Sequence, residues 1–207
     1  MPRKVPDQGQ RHTMPAMDSN HLHLARSLET HALRWPQEAA KAQRFVDLLA
    51  EAGTGKGDPF TRSREQGHFT GSAWLVSADG RNVLLTHHRK LDRWLQLGGH
   101  ADGDVRLDRV ALREAGEESG LAGLLAEPDI FDLDIHWIPQ RHEVAGHWHY
   151  DARYVIRATH SEAFAVSEES HALEWRDIRA LAADDEVDAS LRRMAERWLR
   201  LCRQTHR

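Results

Sequence analysis

Residues 98–121 read GGHADGDVRLDRVALREAGEESGL, and this stretch decides the fold of the chain. Its apolar positions have the spacing of a helix that is packed on one side; they are Val105, Val110, Ala111 and Leu112. Gly120 stands where a glycine in the left-handed conformation would end that helix. Glu114, Glu117 and Glu118 are spaced i, i+3 and i+4, so the three carboxylates share one helix face.

The three glutamates have two interpretations. Glutamates are common on solvated helix faces, where they bind nothing. Carboxylates crowded on one face repel each other, and a hard divalent cation such as Mg²⁺ or Mn²⁺ would reverse that repulsion because it prefers oxygen ligands. The surrounding sequence favours the metal, since an apolar run at 94–97 leads into Gly98 and Gly99, and an acidic loop follows. The stretch therefore predicts a divalent metal site.

The same stretch resembles the box of the Nudix hydrolases, which reads G, five residues, E, seven residues, R-E-U-x-E-E-x-G-U, with U a bulky apolar residue. Gly99 and Arg113 have the separation of this box. The matching positions of its second half are Arg113, Glu114, Glu117, Glu118, Gly120 and Leu121. Val105 stands where the family has its first glutamate, and Ala115 is smaller than the usual apolar residue. Because the family's first acid is more structural than catalytic, the departure concerns the loop more than the chemistry.

The resemblance implies metal-dependent hydrolysis of a pyrophosphate bond in a nucleoside diphosphate linked to another moiety. It implies Mg²⁺ or Mn²⁺ as the cofactor, bound by the Gly99 carbonyl and the carboxylates of Glu114, Glu117 and Glu118. It also implies that Arg113 orients Glu114 through a charge-assisted hydrogen bond.

A general base outside the box is a further implication of the resemblance. The candidates on later loops are Glu143, Glu168 and Glu169. We assign the role to Glu168, and a solvated loop carboxylate is the alternative interpretation for each of them.

The chain divides into a flexible segment at 1–20, a helical hairpin with its linker at 21–57, and a Nudix-like catalytic domain at 58–207. Apolar stripes on both sides of Pro36 predict the hairpin, which either packs on the catalytic domain or mediates self-association. Apolar and alternating runs predict strands at 68–77, 82–87, 94–97, 129–138, 147–158 and 172–175, and a closing helix at 187–202. The predicted fold class is α/β: an α/β/α sandwich with a mixed sheet, as the resemblance also implies.

A second polar constellation lies in the strand that reads HWHYD from His147. Along a strand, His147, His149 and Asp151 fall on one face, with Arg153 at the end of that row. Imidazoles and a carboxylate in this arrangement suit a transition metal, a substrate contact or a hydrogen-bonded network. Other residues expected near the substrate are His87, His88, His100, Trp94 and Trp148, with core packing as the alternative for the tryptophans.

Composition limits the remaining function classes. The formal charge of −4 over 207 residues, with no basic stripe, argues against an extended nucleic acid as the partner. No apolar run reaches membrane-spanning length, and residues 1–20 lack the apolar core of a secretory signal. The single cysteine, Cys202, excludes an intramolecular disulfide. We therefore expect a cytoplasmic enzyme, homodimeric as many relatives are, that acts on a small nucleoside diphosphate derivative.

Two alternatives to the hydrolase stay open. One is a non-catalytic nucleotide sensor of the same fold, although such modules usually lose the box glutamates. The other is an isopentenyl diphosphate isomerase, which needs a cysteine beside a histidine-rich metal site. Cys202 lies in the predicted closing helix, which argues against the isomerase.

Overall fold

The structure of the chain is a computed structural model that describes residues 19–141, 143–167 and 170–205. The helices of this part are α1 (Ser19–Arg34), α2 (Ala39–Leu49), α3 (Leu107–Ser119), α4 (Ile178–Ala183) and α5 (Ala189–Thr205), with a short 3-10 turn at Pro36–Glu38. Its strands are β1 (Gly67–Val76), β2 (Asn82–His88), β3 (Arg93–Leu95), β4 (Leu97–His100), β5 (Leu124–Ile138), β6 (His147–Ala158) and β7 (Ser170–Asp177). Apart from its last two residues, the predicted flexible segment lies outside the described residues. Within them, no helix has the length and apolar composition to cross a bilayer.

The strands form one mixed sheet with the order β3-β2-β1-β6-β5. Strands β1 and β6 run parallel along their whole length, from Gly67 opposite Trp148 to Val76 opposite Arg157. Strand β4 pairs antiparallel with the first half of β1, and β7 pairs antiparallel with β2. The first half of β1 therefore lies between β4 and β6, and this junction carries the candidate site.

Alternate residues of β1 face opposite layers of the molecule, as the pleat of a strand requires. Phe69, Ala73 and Leu75 pack with apolar residues of α1, α2 and α3 into a first core. Trp74 and Val76 face the other way and pack with α4 and α5 into a second core. A sheet covered by helices on both faces is the predicted α/β/α sandwich, so this prediction is confirmed.

Helices α1 and α2 form the predicted hairpin and contribute Leu28 and Phe45 to the first core. The buried His31 Nε2 lies 2.7 Å from Glu38 Oε2, and Arg197 of α5 forms an ion pair with the same carboxylate. The hairpin thus packs on the rest of the chain, the first of the two predicted alternatives. The proposed domain boundaries stay a prediction, since the first core includes residues from both sides of the boundary at 57.

The segment before the box helix differs from the prediction. We expected one strand at 94–97 leading into a glycine turn, whereas Gly98 and Gly99 lie inside β4, opposite Ser72 and Gly71 of β1. The turn prediction is wrong because both glycines pair with β1. Glycine is needed there for its lack of a side chain and not for its freedom to turn. A Cβ on Gly98 would lie 2.2 Å from Ser72 Oγ, so these glycines permit close strand packing rather than a turn.

One strand begins earlier than predicted, and one short helix was not predicted. Strand β5 begins at Leu124 and not at 129, and its register shifts between Ala126 and Ile130. The irregularity surrounds Pro128, which has no N–H to donate and so weakens the sequence signal of a strand. Helix α4 has six residues, too few to show a helical period in the sequence.

Candidate active site

Two of the box glutamates lie directly against the double glycine of β4. The Gly98 N–H donates a 2.7 Å hydrogen bond to Glu118 Oε1. A Cβ on Gly99 would lie 2.5 Å from the carboxyl carbon of Glu114. Helix α3 can come this close because a Cβ on Gly71 of β1 would lie 2.8 Å from a backbone carbonyl of the helix. The glycines of two strands therefore place both carboxylates on the backbone of β4.

Arg113 contacts two of the box glutamates and the backbone of β4. Its Nη1 lies 3.0 Å from Glu114 Oε1 and 3.6 Å from Glu117 Oε2, and its Nη2 donates to the His100 carbonyl at 3.0 Å. The side chain of Glu117 is 62% exposed, whereas that of Glu114 is 14% exposed. Glu114 is therefore fixed inside the site by Arg113, and Glu117 stands at its outer edge.

The ends of the box also have defined structures. Gly120 ends α3 with φ of 69°, and its N–H bonds to the Gly116 carbonyl at 2.9 Å, as the sequence predicts. Val105, in place of the family's first glutamate, packs against the first core. Asp102 in the preceding loop accepts a 2.8 Å hydrogen bond from Arg62 Nε. The side chain at position 105 therefore contributes to packing.

A cleft of about 420 Å³ opens between the box helix and the polar part of the sheet. The predicted residues on its wall include Gly99, Arg113, Glu114, Glu117, His88, His100, His149 and Asp151. Three further cationic or titratable side chains line it, and the sequence patterns do not mark them: Arg62, Lys90 and His136. A cleft of this size that is lined by both carboxylates and cations suits a small ligand with anionic groups.

Asp151 is buried and its oxygens are occupied by protein donors. It accepts hydrogen bonds from Thr70 at 3.0 Å, Ser72 at 2.7 Å, Arg153 Nε at 2.8 Å and Gln96 Nε2 at 3.3 Å. Burial alone would lower the pKa of Arg153, but the surrounding aspartates raise it. The hydrogen-bonded network is therefore the interpretation that the geometry of Asp151 favours.

Histidines from three strands meet beside the cleft, and two of them, His100 and His149, line it. His68 of β1, His100 of β4, and His147 and His149 of β6 place one ring nitrogen each within 4.8 Å of the others. Burial, followed by the positive field of neighbouring groups, lowers the pKa of His100 to about 4 and that of His149 to about 2. Burial also lowers the pKa of His68. Burial therefore disfavours the protonated form of His68, His100 and His149.

Other assigned residues lie elsewhere. Trp94 stacks on His87 with ring centroids 5.2 Å apart, and the Arg176 guanidinium lies 4.2 Å from its ring centroid. Trp94 is not among the residues that line the cleft in the described part of the chain, and its contact with a base stays a prediction. Glu143 is exposed in the loop after β5, while Glu168 and Glu169 lie outside the described residues.

No protein-family model and no curated protein matches this chain. Solved structures do match it. An Ap4A hydrolase from C. elegans has a TM-score of 0.51 and 13% identity, over 66% of this chain and 98% of that one. The MutT protein from Methanosarcina mazei Go1 has a TM-score of 0.51 and 18% identity, over 66% and 95%. A hydrolase of the NUDIX family from Clostridium perfringens has a TM-score of 0.48 and 26% identity, over 65% and 97%.

The fold is that of the Nudix hydrolases. The fold that the sequence resemblance implies is thus confirmed. This conclusion rests on the first two structures, the Ap4A hydrolase and the MutT protein. The Nudix fold hosts the site, while the chemistry of the site must be argued from its own residues.

The sequence patterns do not mark His68 and Gln96, although His68 joins the group of histidines and Gln96 donates to Asp151. A signal for His68 was present. It begins a row of polar residues, His68, Thr70 and Ser72, at a period of two in a strand that is otherwise apolar or glycine. Buried polar residues on one face of a central strand indicate a polar cluster there, and strand pairing decides which residues join it.

Proposed function

We propose that this protein hydrolyses a pyrophosphate bond in a nucleoside diphosphate linked to another moiety, with Mg²⁺ or Mn²⁺ as the cofactor. The observation that supports this best is the placement of Glu114 and Glu118 on the backbone of Gly99 and Gly98. Glutamates of a solvated helix face would have no reason to lie against the backbone of glycines in the sheet. The arrangement favours the metal-site interpretation over the solvated helix face.

The residues present fit a hard divalent cation. Glu114, Glu117 and Glu118 offer carboxylate oxygens, and the Gly99 carbonyl would add a backbone oxygen. The site at Gly99 is a cradle that a Cβ would fill, since that atom would lie 2.5 Å from a Glu114 oxygen. When bound, the cation neutralises charge on the diphosphate and lowers the pKa of a bound water.

The side chains around these ligands have positioning and binding roles in the proposal. Arg113 holds Glu114 at 3.0 Å and keeps its carboxylate directed toward β4. Arg62, His88 and Lys90 line the cleft together with the acidic residues of the box, and they would bind the phosphate oxygens of the substrate. We propose Glu168 as the general base, with Glu143 and Glu169 as the other candidates.

The substrate is proposed at the level of a chemical class. The cleft of about 420 Å³ is large enough for a small nucleotide derivative. The acidic net charge of −4 again argues against long nucleic acid. The homodimer, the cytoplasmic location, and the contacts of the substrate with His100, His147, His149, Asp151 and Trp94 stay predictions.

The isomerase alternative is not favoured by the structure. A histidine cluster is present, but Cys202 lies on α5 against the second core. Cys202 does not line the cleft, as far as the chain is described. The sensor alternative shares the fold and the cleft, so it is decided by experiment.

The deciding experiment is the release of phosphate and pyrophosphate from a panel of nucleoside diphosphate derivatives with Mg²⁺ or Mn²⁺. We expect metal-dependent turnover in the native chain and a loss of at least about 100-fold in Glu118→Gln, since even indirect partners of metal ligands are worth about 10–100-fold. Glu196→Gln makes the same chemical change at an exposed position of α5 and serves as the matched control. Nucleotide binding without turnover of any substrate would contradict the hydrolase and support the sensor.

A further inference from the structure

Four histidines that come from distant parts of the sequence form a compact group on one face of the sheet. The ring centroid of His68 lies 5.1 Å from that of His100, 4.9 Å from His147 and 5.0 Å from His149. His100 and His149 are 5.1 Å apart, and His147 and His149 are 5.0 Å apart. We call this group the histidine cluster. Strand pairing fixes it, because His149 lies directly opposite His68 and His100 lies opposite Thr70.

Backbone carbonyls orient two of these rings. His68 Nδ1 lies 3.3 Å from the Arg64 carbonyl oxygen, and His147 Nδ1 lies 2.8 Å from the Ala145 carbonyl oxygen. A carbonyl accepts hydrogen bonds and cannot donate them, so in both rings Nδ1 carries a proton. Nε2 is then the nitrogen of each ring that can accept a hydrogen bond or bind a metal. This is the arrangement in which a carbonyl fixes the tautomer of a histidine that binds a metal.

The described protein groups do not supply a hydrogen-bond donor for every Nε2 atom of this cluster. His68 is 1% exposed, and its Nε2 has no hydrogen-bond partner among the described residues. His147 Nε2 faces His149 Nε2 at 3.1 Å, so one imidazole there must donate to another. A buried polar atom without a partner is destabilising, which leaves a purely structural role for this cluster unexplained.

Nearby carboxylates are committed to other partners. Asp151 accepts hydrogen bonds from Thr70 and Ser72, and Asp102 from Arg62. The cluster is therefore a set of four imidazoles, each with one ring nitrogen within 4.8 Å of the others, and these two carboxylates are held by other protein groups.

We propose that His68, His100, His147 and His149 bind one transition-metal ion, Zn²⁺ in the first instance, at a site separate from the box carboxylates. Zn²⁺ prefers tetrahedral nitrogen ligands at about 2.0–2.1 Å, which puts the nitrogens about 3.3 Å apart. His147 Nε2 and His149 Nε2, which are 3.1 Å apart, already have about this spacing. All ligand nitrogens lie within 4.8 Å of one another, so no nitrogen–nitrogen distance would have to shorten by more than about 1.5 Å. Mg²⁺, which prefers oxygen, is a poor occupant.

The ion would join three strands beside the cleft. His68 belongs to β1, His100 to β4, and the other two histidines to β6. His100 directly follows Gly99, so the nitrogen site and the oxygen site proposed above share β4. The expected consequence of binding is a more stable junction of these strands, because an ion that binds the folded state and not the unfolded one raises the Tm.

The test is the affinity of the tag-free, chelator-treated full chain for Zn²⁺, measured by competition with a chromophoric chelator. We expect one Zn²⁺ per chain, a higher Tm with Zn²⁺, a tetrahedral absorption spectrum with Co²⁺, and no displacement by excess Mg²⁺. His68→Gln and His149→Gln should each weaken Zn²⁺ binding by at least about 100-fold. His136→Gln is the matched control, because its ring lies 5.5 Å from that of His149 but outside the cluster.

Loss of folding must be separated from loss of the site. The less buried His100→Gln serves as a second variant, and circular dichroism checks that each variant is folded. Glu118→Gln should keep its Zn²⁺ affinity while it loses hydrolysis, so failure of the hydrolase proposal would not affect this result. The zinc proposal is overturned if the native chain binds less than one Zn²⁺, or if folded histidine variants bind it as well as the His136→Gln control.

Discussion

The histidine cluster and the ionic network lie next to each other on one face of the sheet, and they satisfy their polar groups in opposite ways. The ionic network consists of Glu38, Asp132, Asp134, Asp151, Arg153, Arg193 and Arg197. In it, the fully buried Asp132 pairs with Arg153 at 3.2 Å, Arg193 at 2.7 Å and Arg197 at 3.1 Å. The histidine cluster contains imidazoles alone, and His68 Nε2 has no partner among the described residues. Opposite charges that satisfy each other hold a structure together, whereas converging imidazoles that leave a buried nitrogen without a partner indicate a ligand site.

The largest expected effect tests the structural side of this comparison. Asp132→Asn removes the negative charge that faces three arginines, and it should lower the free energy of unfolding by about 3–5 kcal/mol. Asp129→Asn is the control, because Asp129 is 64% exposed and pairs with Arg34 at 3.6 Å, so it should cost less than about 1 kcal/mol. Urea unfolding measures both values. Equal losses would show that the network does not stabilise the sheet.

Acid pH should weaken the same network in a defined range. Burial tends to raise the pKa of Glu38, but hydrogen bonds from His31 and Arg197 outweigh it and lower the pKa to about 2. Since the folded pKa lies below the usual 4.5, the ionised carboxylate stabilises the protein above pH 4.5, and this stabilisation is lost between pH 4.5 and about 2. The loss is on the order of 3 kcal/mol.

Urea unfolding over a pH series checks this prediction. Native protein should lose stability more steeply than Glu38→Gln below pH 4.5, and the difference between them should be constant above it. Parallel curves over the whole acid range would show that Glu38 does not titrate with the folded structure.

The carboxylate site should respond to a single added methyl group. Gly99→Ala would place a Cβ 2.5 Å from the Glu114 carboxylate, which must move away from β4. A displacement of about 1 Å near the chemistry should lower kcat/KM by about 100-fold. Gly116→Ala is the matched control in α3, because its nearest neighbour would be 4.0 Å away.

The control should keep its activity and gain about 1 kcal/mol of helix stability. Steady-state kinetics and thermal unfolding of both variants provide the comparison. If Gly99→Ala retains the native kcat/KM, the contact between Glu114 and β4 has no catalytic role.

The smallest expected effect concerns orientation. Arg113→Lys keeps the positive charge but cannot contact Glu114, Glu117 and the His100 carbonyl together. We expect kcat to fall by about 10-fold with a smaller change in KM, since Arg113 positions Glu114 and does not bind the substrate in our proposal. Arg109→Lys, at an exposed position of the same helix, is the control. A change confined to KM would place Arg113 in substrate binding instead.

Local patterns predicted the parts of the molecule that depend on neighbours in sequence. The spacing of Glu114, Glu117 and Glu118 predicted a shared face, and Gly120 does end α3 in the left-handed conformation. The alternation at His147, His149 and Asp151 predicted one row on β6, and all three do lie on the same face of the sheet, beside His68 and Ser72 of β1. The apolar stripe of the closing helix predicted its packing, and Leu191 and Met194 are fully buried.

The features that these local patterns did not predict arise from pairing between strands that are distant in the sequence. Gly98 and Gly99 read as a turn because glycine is common in turns, but their pairing with β1 makes them a strand. His68 lies 79 to 81 residues before His147 and His149 in the chain, and no local period connects them. A sequence pattern gives the face of each strand, while the choice of neighbour and register is a property of the whole sheet.

The sequence by itself thus determined a helix with three carboxylates on one face, its glycine end, and a strand with imidazoles on alternate positions. The tertiary structure alone decided that Glu114 and Glu118 lie on the glycines of β4 and that His68 and His100 join the two histidines of β6. The physical reason is the range of the interactions. Helix and strand periods are set by backbone geometry over a few residues, whereas a ligand site needs atoms brought together from strands that only the packed sheet makes neighbours.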